Sequence, residues 1–365
     1  MLELRDKRLD MSHGERVHRY SDVASALALH SDRQLSESLE QAQLLGTGIG
    51  GNSALLAIDG VPVFVKRVPL TDLERRAGNV MSTANLFGLP PFCQYGIGGP
   101  SFGAWRELAA GVMTTNWVLA GRSAAFPLLY HWRVLPGAPP QTDQHADVEA
   151  VVQYWDGSPA VRDRLHAVAQ ASASIVLFQE FIPYNLNDWL AAQLAVGQDA
   201  AVAASAMVES CLRADVAFMN GQGLMHFDNH FRNILTDGER LYIADLGLAT
   251  SSRFDLSKQE IEFLNRNRTH DLGYALMRLV NWLVTDICGV PVPRNGVLEQ
   301  RNEYIRACAD GEDPAGAPPA VAAMLRRYAP VAAAMNDFYW DLFWSDRRTT
   351  PYPSEKIERA MSAMR

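Results

Sequence analysis

Two dipeptides limit the topology of this chain more than any other feature. Asp59-Gly60 lies between Ala54-Leu-Leu-Ala-Ile58 and Val61-Pro-Val-Phe-Val-Lys-Arg-Val68, and Asp237-Gly238 lies between Ile234-Leu-Thr236 and Leu241-Tyr-Ile-Ala244. Asp-Gly between short apolar runs signals a tight turn, because both residues tolerate positive φ, and it joins neighbouring strands antiparallel. Upstream, Gly46-Thr-Gly-Ile-Gly-Gly51 leads into a further strand and hairpin. A dinucleotide-binding unit needs its glycine run between a strand and a helix, so this order argues against a doubly wound parallel sheet. Glycines between two strands can instead let backbone N–H groups approach phosphates closely.

The rest of the chain divides by pattern. Ser21-Asp22 ahead of Val23-Ala-Ser-Ala-Leu27 reads as a helix start, so residues 1–40 are expected to form an N-terminal helical extension. Helices are predicted from Trp105 to Leu119 and from Ala200 to Asn220, and strands over Phe126–Leu135 and Ser174–Ile182. After Asp271 the pattern is helical to the end, and the aromatic run Phe338-Tyr-Trp-Asp-Leu-Phe-Trp344 is expected as helical core. Strands first and helices later imply an α+β chain in two parts. Those parts are residues 41–182, with insertions at about 69–104 and 136–172, and residues 183–365.

Composition narrows the function classes. Of the 365 residues 48% are hydrophobic and 20% charged, as in globular proteins. A net charge of −8 disfavours a nucleic-acid partner, and no apolar run is long enough to span a bilayer. The start, Met1-Leu-Glu-Leu-Arg-Asp-Lys-Arg8, is too charged for a secretory signal. Four scattered cysteines with no Cys-x-x-Cys pair fit reduced thiols, so a cytoplasmic location is expected.

Only four of the 33 basic residues are lysines, and one of them, Lys66, interrupts an apolar strand. Alternation puts Phe64, Lys66 and Val68 on one face and Val63 and Val65 on the other. An ammonium on a part-buried face needs an anionic partner. A second polar cluster, His226-Phe-Asp-Asn-His-Phe-Arg-Asn233, precedes the Asp237-Gly238 hairpin, and Asp245-Leu-Gly247 follows it. Asn233 and Asp245 therefore flank one hairpin as oxygen donors of the kind Mg²⁺ takes. Asp228 is left as a candidate base.

These pieces together resemble the protein-kinase-like superfamily, which includes protein kinases and aminoglycoside- and choline-type phosphotransferases. The matching motifs are G-x-G-x-x-G (Gly46, Gly48, Gly51), a lysine in the third strand (Lys66), H-x-D-x-x-x-x-N (His226, Asp228, Asn233) and D-x-G (Asp245, Gly247). The resemblance covers about residues 43–285. It implies a protein-kinase-like bilobal fold, with a small antiparallel-sheet N-lobe and a mainly helical C-lobe. It implies ATP and Mg²⁺ as cofactors, Lys66 on the α/β-phosphates, Asp228 on the acceptor hydroxyl, and Asn233 and Asp245 on the metal. The glutamate paired with Lys66 would be Glu107, or alternatively Glu74. The main chain of Glu180 and Ile182 would hold adenine, with Gln179 as gatekeeper.

Departures shape the expected subtype. Phe227 stands where His-Arg-Asp has arginine, which argues against gating by a phosphorylated loop. His230 follows Asp228 as in the small-molecule phosphotransferases, whereas Arg232 before Asn233 is similar to tyrosine kinases. No Ala-Pro-Glu follows Asp245, and Thr269-His-Asp271 reads as the start of a large-lobe helix. The expected function is phosphoryl transfer to a hydroxyl of a small molecule or a peptide. A kinase-like binding or scaffold protein and a nucleotidyl transferase on the same fold are the alternatives.

Overall fold

The computed structural model describes residues 11–48, 51–96, 98–140, 142–291, 299–343 and 348–364. The chain is a mixed α/β protein that divides into two compact units. The first comprises Met1–Pro183 and Ala244–Glu260, and the second Tyr184–Ile243 and Ile261–Arg365. The segment carrying Asp245 thus belongs with the first unit, although it follows a hairpin of the second.

The first unit is built on a five-stranded antiparallel sheet. Its strands are β1 (Gln43–Gly48), β2 (Gly51–Ile58), β3 (Val61–Leu70), β4 (Leu129–Pro136) and β5 (Ala173–Glu180), in the order β1-β2-β3-β5-β4. Asp59 and Gly60 both take positive φ, at 47° and 79°, and close the β2–β3 turn as their residue types predict. The glycine run is not a separate loop. Gly46 and Gly48 are in β1, Gly51 opens β2, and Gly48 pairs with Gly51, while Ile49 and Gly50 lie outside the described residues.

β5 is buried on nearly every residue, so both faces of the sheet are covered. One cover is the helix α3 (Ala104–Leu119), whose Ala104, Trp105 and Leu108 pack with Val68, Leu70, Leu129, Ile175 and Leu177. Each such large side chain contributes about 1.5–3 kcal/mol on burial. Another cover is α1 (His13–Leu29), which packs on β4 and β2 and buries Arg16, Val23 and Leu27. This helix starts nine residues earlier than a cap at Ser21 predicts, because Ser12 accepts from the Glu15 N–H and caps it. Ser21 and Asp22 are interior helix residues. A second, shorter helix, α2 (Asp32–Glu40), follows.

The two expected insertions are structured and braced against each other. Residues 136–172 hold the helices α4 (Val148–Tyr154) and α5 (Pro159–Ala169), and residues 71–103 hold short turns. Trp155, fully buried, stacks on Phe92 at 5.9 Å between centroids. Arg164 of α5 makes a 2.9 Å ion pair with Glu74, and both side chains are buried. Glu74 also accepts from Thr71 N at 2.9 Å and from Ala104 N at 2.8 Å, so its carboxylate caps the first turn of α3.

The second unit is mainly helical. It contains a three-stranded sheet of β6 (Tyr184–Asn185), β7 (Ile234–Thr236) and β8 (Leu241–Ile243), in the order β6-β7-β8. The β7–β8 hairpin has a four-residue loop, Asp237–Arg240, and not a two-residue turn. Asp237 Oδ1 accepts from the N–H groups of Glu239 and Arg240, and this side chain–backbone turn replaces the tighter one. The unit's helices include α6 (Leu186–Val196), α7 (Gln198–Gly221), α8 (His270–Trp282), α9 (Glu299–Ala309), α10 (Pro319–Phe343) and α11 (Ser354–Ser362). α8 is at the centre and packs against α7 and α10. Phe338 and Tyr339 are buried in α10, as the core reading expects, and Trp344 lies outside the described residues. No helix among the described residues is long and apolar enough to cross a membrane.

The Glu74–Arg164 brace sets a stability test. Burial raises the Glu74 carboxyl, but Arg164 and Thr71 outweigh it and hold the group below its ordinary value of 4.5. A depressed acid stabilises the fold above its unfolded pKa, and that contribution is lost on acidification. Arg164→Ala is expected to cost about 3–5 kcal/mol at pH 7, because it leaves Glu74 buried without its counter-ion. Urea denaturation should read this as a lower midpoint at unchanged slope, with the deficit shrinking towards pH 3.

Candidate functional site

In the first unit three predicted residues meet. Lys66 is on the face of β3 that α3 covers, the face shared with Val68 and Leu70. Its Nζ is 2.7 Å from Glu107 Oε1 and 2.7 Å from Asp245 Oδ1. Glu107 is in the first turn of α3, where the helix dipole also favours a carboxylate. Asp245 follows β8 with φ 53°, a left-handed conformation rare for a residue with a Cβ, and its side chain accepts from Gly247 N. A Cβ on Gly247 would lie 3.2 Å from Asp245 Oδ1 and 3.4 Å from Glu107 Oε2, so a side chain there would press on the Asp245 carboxylate.

Burial alone would pull the Lys66 ammonium down, but Asp245 and Glu107 outweigh it and hold the group above the usual lysine range. For Glu107, burial and the nearby Asp245 charge push the carboxyl up against the opposing pull of Lys66. One ammonium facing two carboxylates leaves the cluster short of positive charge. The side chains of Lys66 and Glu107 are 9% and 5% exposed, whereas that of Asp245 is 44% exposed. Asp245 is therefore the member that can turn an oxygen towards a cation from solution.

Glu74, the alternative partner for Lys66, is instead committed to Arg164 and the start of α3. The expected phosphate-loop glycines differ from one another. Gly51 has φ 120°, and a Cβ there would meet the Arg67 carbonyl at 1.9 Å, so the fold itself demands glycine. A Cβ on Gly46 would meet nothing within 4 Å.

Glu180 ends β5. Its N–H donates to the Leu128 carbonyl at 2.8 Å, and its carboxylate is gripped by Arg16, with Nη2 2.6 Å from Oε2, and by Arg19 at 3.4 Å. The Glu180 side chain is thus a structural counter-ion, leaving its carbonyl and the neighbouring buried Ile182 as the strand-end groups to consider for a ligand. Arg16 and Arg19 carry no signal in the local sequence that would pair them with a residue 164 positions away.

In the second unit Asp228 and Asn233 meet in the loop before β7. Asn233 Nδ2 donates to the Asp228 carbonyl at 2.9 Å and to Asp228 Oδ2 at 3.2 Å. His230 Nε2 lies 3.8 Å from Asp228 Oδ1. The loop is held from below by Asp271, which the sequence marks only as a helix start. The fully buried Asp271 accepts from His226 N at 2.7 Å and Phe227 N at 2.9 Å, and from Asn220 Nδ2 at 2.8 Å. These bonds fix Phe227 at φ 65°, with its ring against Phe263 and His270. Phe227, in place of the arginine of His-Arg-Asp, therefore packs into the core beneath the loop.

Among the described residues no group of three or more His, Cys, Asp or Glu side chains is arranged to hold a metal ion. Mg²⁺ takes fewer protein ligands and completes its shell with water or phosphate oxygens, and an amide and a half-exposed carboxylate are donors of that kind. No protein-family model matches this chain, and no curated protein matches it in sequence.

Asp271→Ala is expected to release the loop. Two buried N–H groups, at a cost of about 1–3 kcal/mol each before relaxation, and the part-buried Asn220 amide lose their acceptor. Limited proteolysis should then cut within 226–233 faster than in the wild type, at a temperature where both proteins remain folded.

Proposed function

We propose that this protein is an ATP- and Mg²⁺-dependent phosphotransferase with a protein-kinase-like bilobal fold, acting on a hydroxyl. What carries the reading is one arrangement: the lysine buried in β3 is paired with a helix glutamate and with the aspartate of D-x-G. In kinases a third-strand lysine paired with a helix glutamate and a metal-binding aspartate must all be in place for transfer. The separate Asp228–Asn233 pair, on a loop pinned by Asp271, supports it independently.

In this reading Lys66 binds the α/β-phosphates, Glu107 orients Lys66, and backbone groups around Gly46 and Gly48 line the phosphates. Glu180 and Ile182 hold adenine through the main chain. Asn233 and Asp245 hold Mg²⁺, which supplies charge neutralisation at the phosphate oxygens. Asp228 orients the acceptor hydroxyl and takes its proton. The hydroxyl oxygen forms a bond to the γ-phosphorus, the bond from that phosphorus to the β–γ bridging oxygen breaks, and ADP leaves with the electron pair. His230 beside Asp228 and the packed Phe227 favour a small-molecule acceptor over a peptide.

Asp228→Asn is expected to lower turnover of labelled ATP by about 10²–10⁴-fold while Mg·ATP still raises the melting temperature. Lys66→Met should weaken that thermal shift itself. Full activity in Asp228→Asn would remove the assigned base, and a product carrying AMP by mass spectrometry would replace phosphoryl with nucleotidyl transfer.

A further inference from the structure

Asp245 keeps its place in the charge cluster against its own backbone preference. Its φ of 53° is left-handed, a conformation that persists in a residue with a Cβ only where the surrounding structure over-determines it. Its Oδ1 receives both the Lys66 ammonium, at 2.7 Å, and the Gly247 N–H, at 3.3 Å, so the turn Leu246–Leu248 sets how the carboxylate is rotated. That turn is a single cycle of 3-10 helix, closed by Ala249 N donating to the Leu246 carbonyl at 3.0 Å. One such turn is marginal by itself.

Gln94 holds it from outside. Its buried side chain donates through Nε2 to the Leu248 carbonyl and, at 2.8 Å, to Oγ1 of the buried Thr250. A carbonyl only accepts, so the amide must present its NH₂ on this side. Gln94 is mounted rigidly: it closes the 3-10 turn Pro91–Gln94, whose Cys93 is fully buried and whose Phe92 stacks on Trp155 of the second insertion. Neighbouring groups fasten the rest of the segment. Thr83 Oγ1 accepts from Asp255 N at 2.9 Å, and the Thr83 carbonyl accepts from Arg106 Nε at 2.7 Å. The buried Arg106 also pairs with Glu260 at 2.7 Å, and it adjoins Glu107 in α3. Gln94 lies outside every motif that carries the kinase resemblance.

We propose that Gln94 is a positioning residue for Asp245: bonded to Leu248 and Thr250 from a rigid insertion, it fixes the turn Leu246–Leu248 and so sets the direction in which Asp245 offers its half-exposed carboxylate to Mg²⁺. Without it the turn loosens while Lys66 and Glu107 stay paired, and Asp245 holds the cation less tightly. The tether stands on the hydrogen bonds; its bearing on Mg²⁺ rests on the phosphotransferase reading.

Three variants of the full-length protein test this: Gln94→Ala, Thr250→Val, which keeps the shape but removes the hydroxyl, and Thr250→Ser, which keeps the hydroxyl. Hydrogen exchange is read by mass spectrometry on the metal-free protein. Gln94→Ala is expected to exchange about fivefold to tenfold faster over 246–251, the effect of one lost hydrogen bond, with β3 and β5 unchanged. Mg²⁺ is then titrated at fixed ATP, with binding read from the melting temperature. The Mg²⁺ midpoint should rise about fivefold or more in Gln94→Ala, rise less in Thr250→Val and return to wild type in Thr250→Ser, while the shift given by ATP in EDTA stays the same. A general loss of packing would lower every melting temperature and leave the Mg²⁺ midpoint in place. If Gln94→Ala also unprotects β3 and β5, the two Thr250 variants carry the same comparisons. Unchanged exchange over 246–251 overturns the tether, and faster exchange with an unchanged Mg²⁺ midpoint overturns the positioning role. If Mg·ATP does not shift the wild type at all, the phosphotransferase reading falls and the exchange result alone decides the tether.

Discussion

A single ammonium group organises the first unit. Lys66 is buried, and burial of an isolated charge is among the most expensive acts in folding. The sheet can hold it because α3 brings Glu107 to 2.7 Å, and the segment after β8 adds Asp245 at the same distance. The position of α3 is therefore not free. It is fixed at its start by Glu74, which accepts from Ala104 N, and through Glu74 by Arg164 on a helix of the second insertion. The insertions that lengthen this unit thus hold the helix that completes the charge cluster.

The second unit solves a different problem, that of fixing a polar loop. Asp271 supplies acceptors to two consecutive backbone N–H groups and an asparagine amide, and the hydrophobic ring of Phe227 fills the space below. A loop fixed by one buried carboxylate can hold Asp228 and Asn233 in contact without a phosphorylated residue or a neighbouring chain. Phe227, at the position between His226 and Asp228, is used for packing.

Local chemistry was readable in the sequence and distant chemistry was not. Asp59-Gly60 specified its turn because both residues accept the positive φ that the hairpin needs. The alternation of β3 put Lys66 on the correct face, and the choice of Glu107 over Glu74 followed from its place at the head of a helix. By contrast, Asp237-Gly238 suggested a tighter turn than forms, because the Asp237 side chain bonds to two backbone groups of its own loop. Ser21-Asp22 looked like a cap because its residue types are right, but Ser12 starts the helix earlier. The Arg16–Glu180 and Glu74–Arg164 pairs and the role of Asp271 join residues 164, 90 and 45 positions apart or nearly so, and no local pattern encodes such partners.

The wide separation of Lys66 from Asp245, 179 residues, has a consequence for synthesis on the ribosome. Lys66, Glu107 and the whole of the five-stranded sheet are translated before Asp245 exists. The nascent sheet and α3 can close on a neutral ammonium–carboxylate pair, so the positive charge never has to enter a low-dielectric interior unaccompanied. The aspartate then arrives as a second, surplus anion, and the finished cluster carries its excess negative charge only once the second unit's hairpin has left the tunnel.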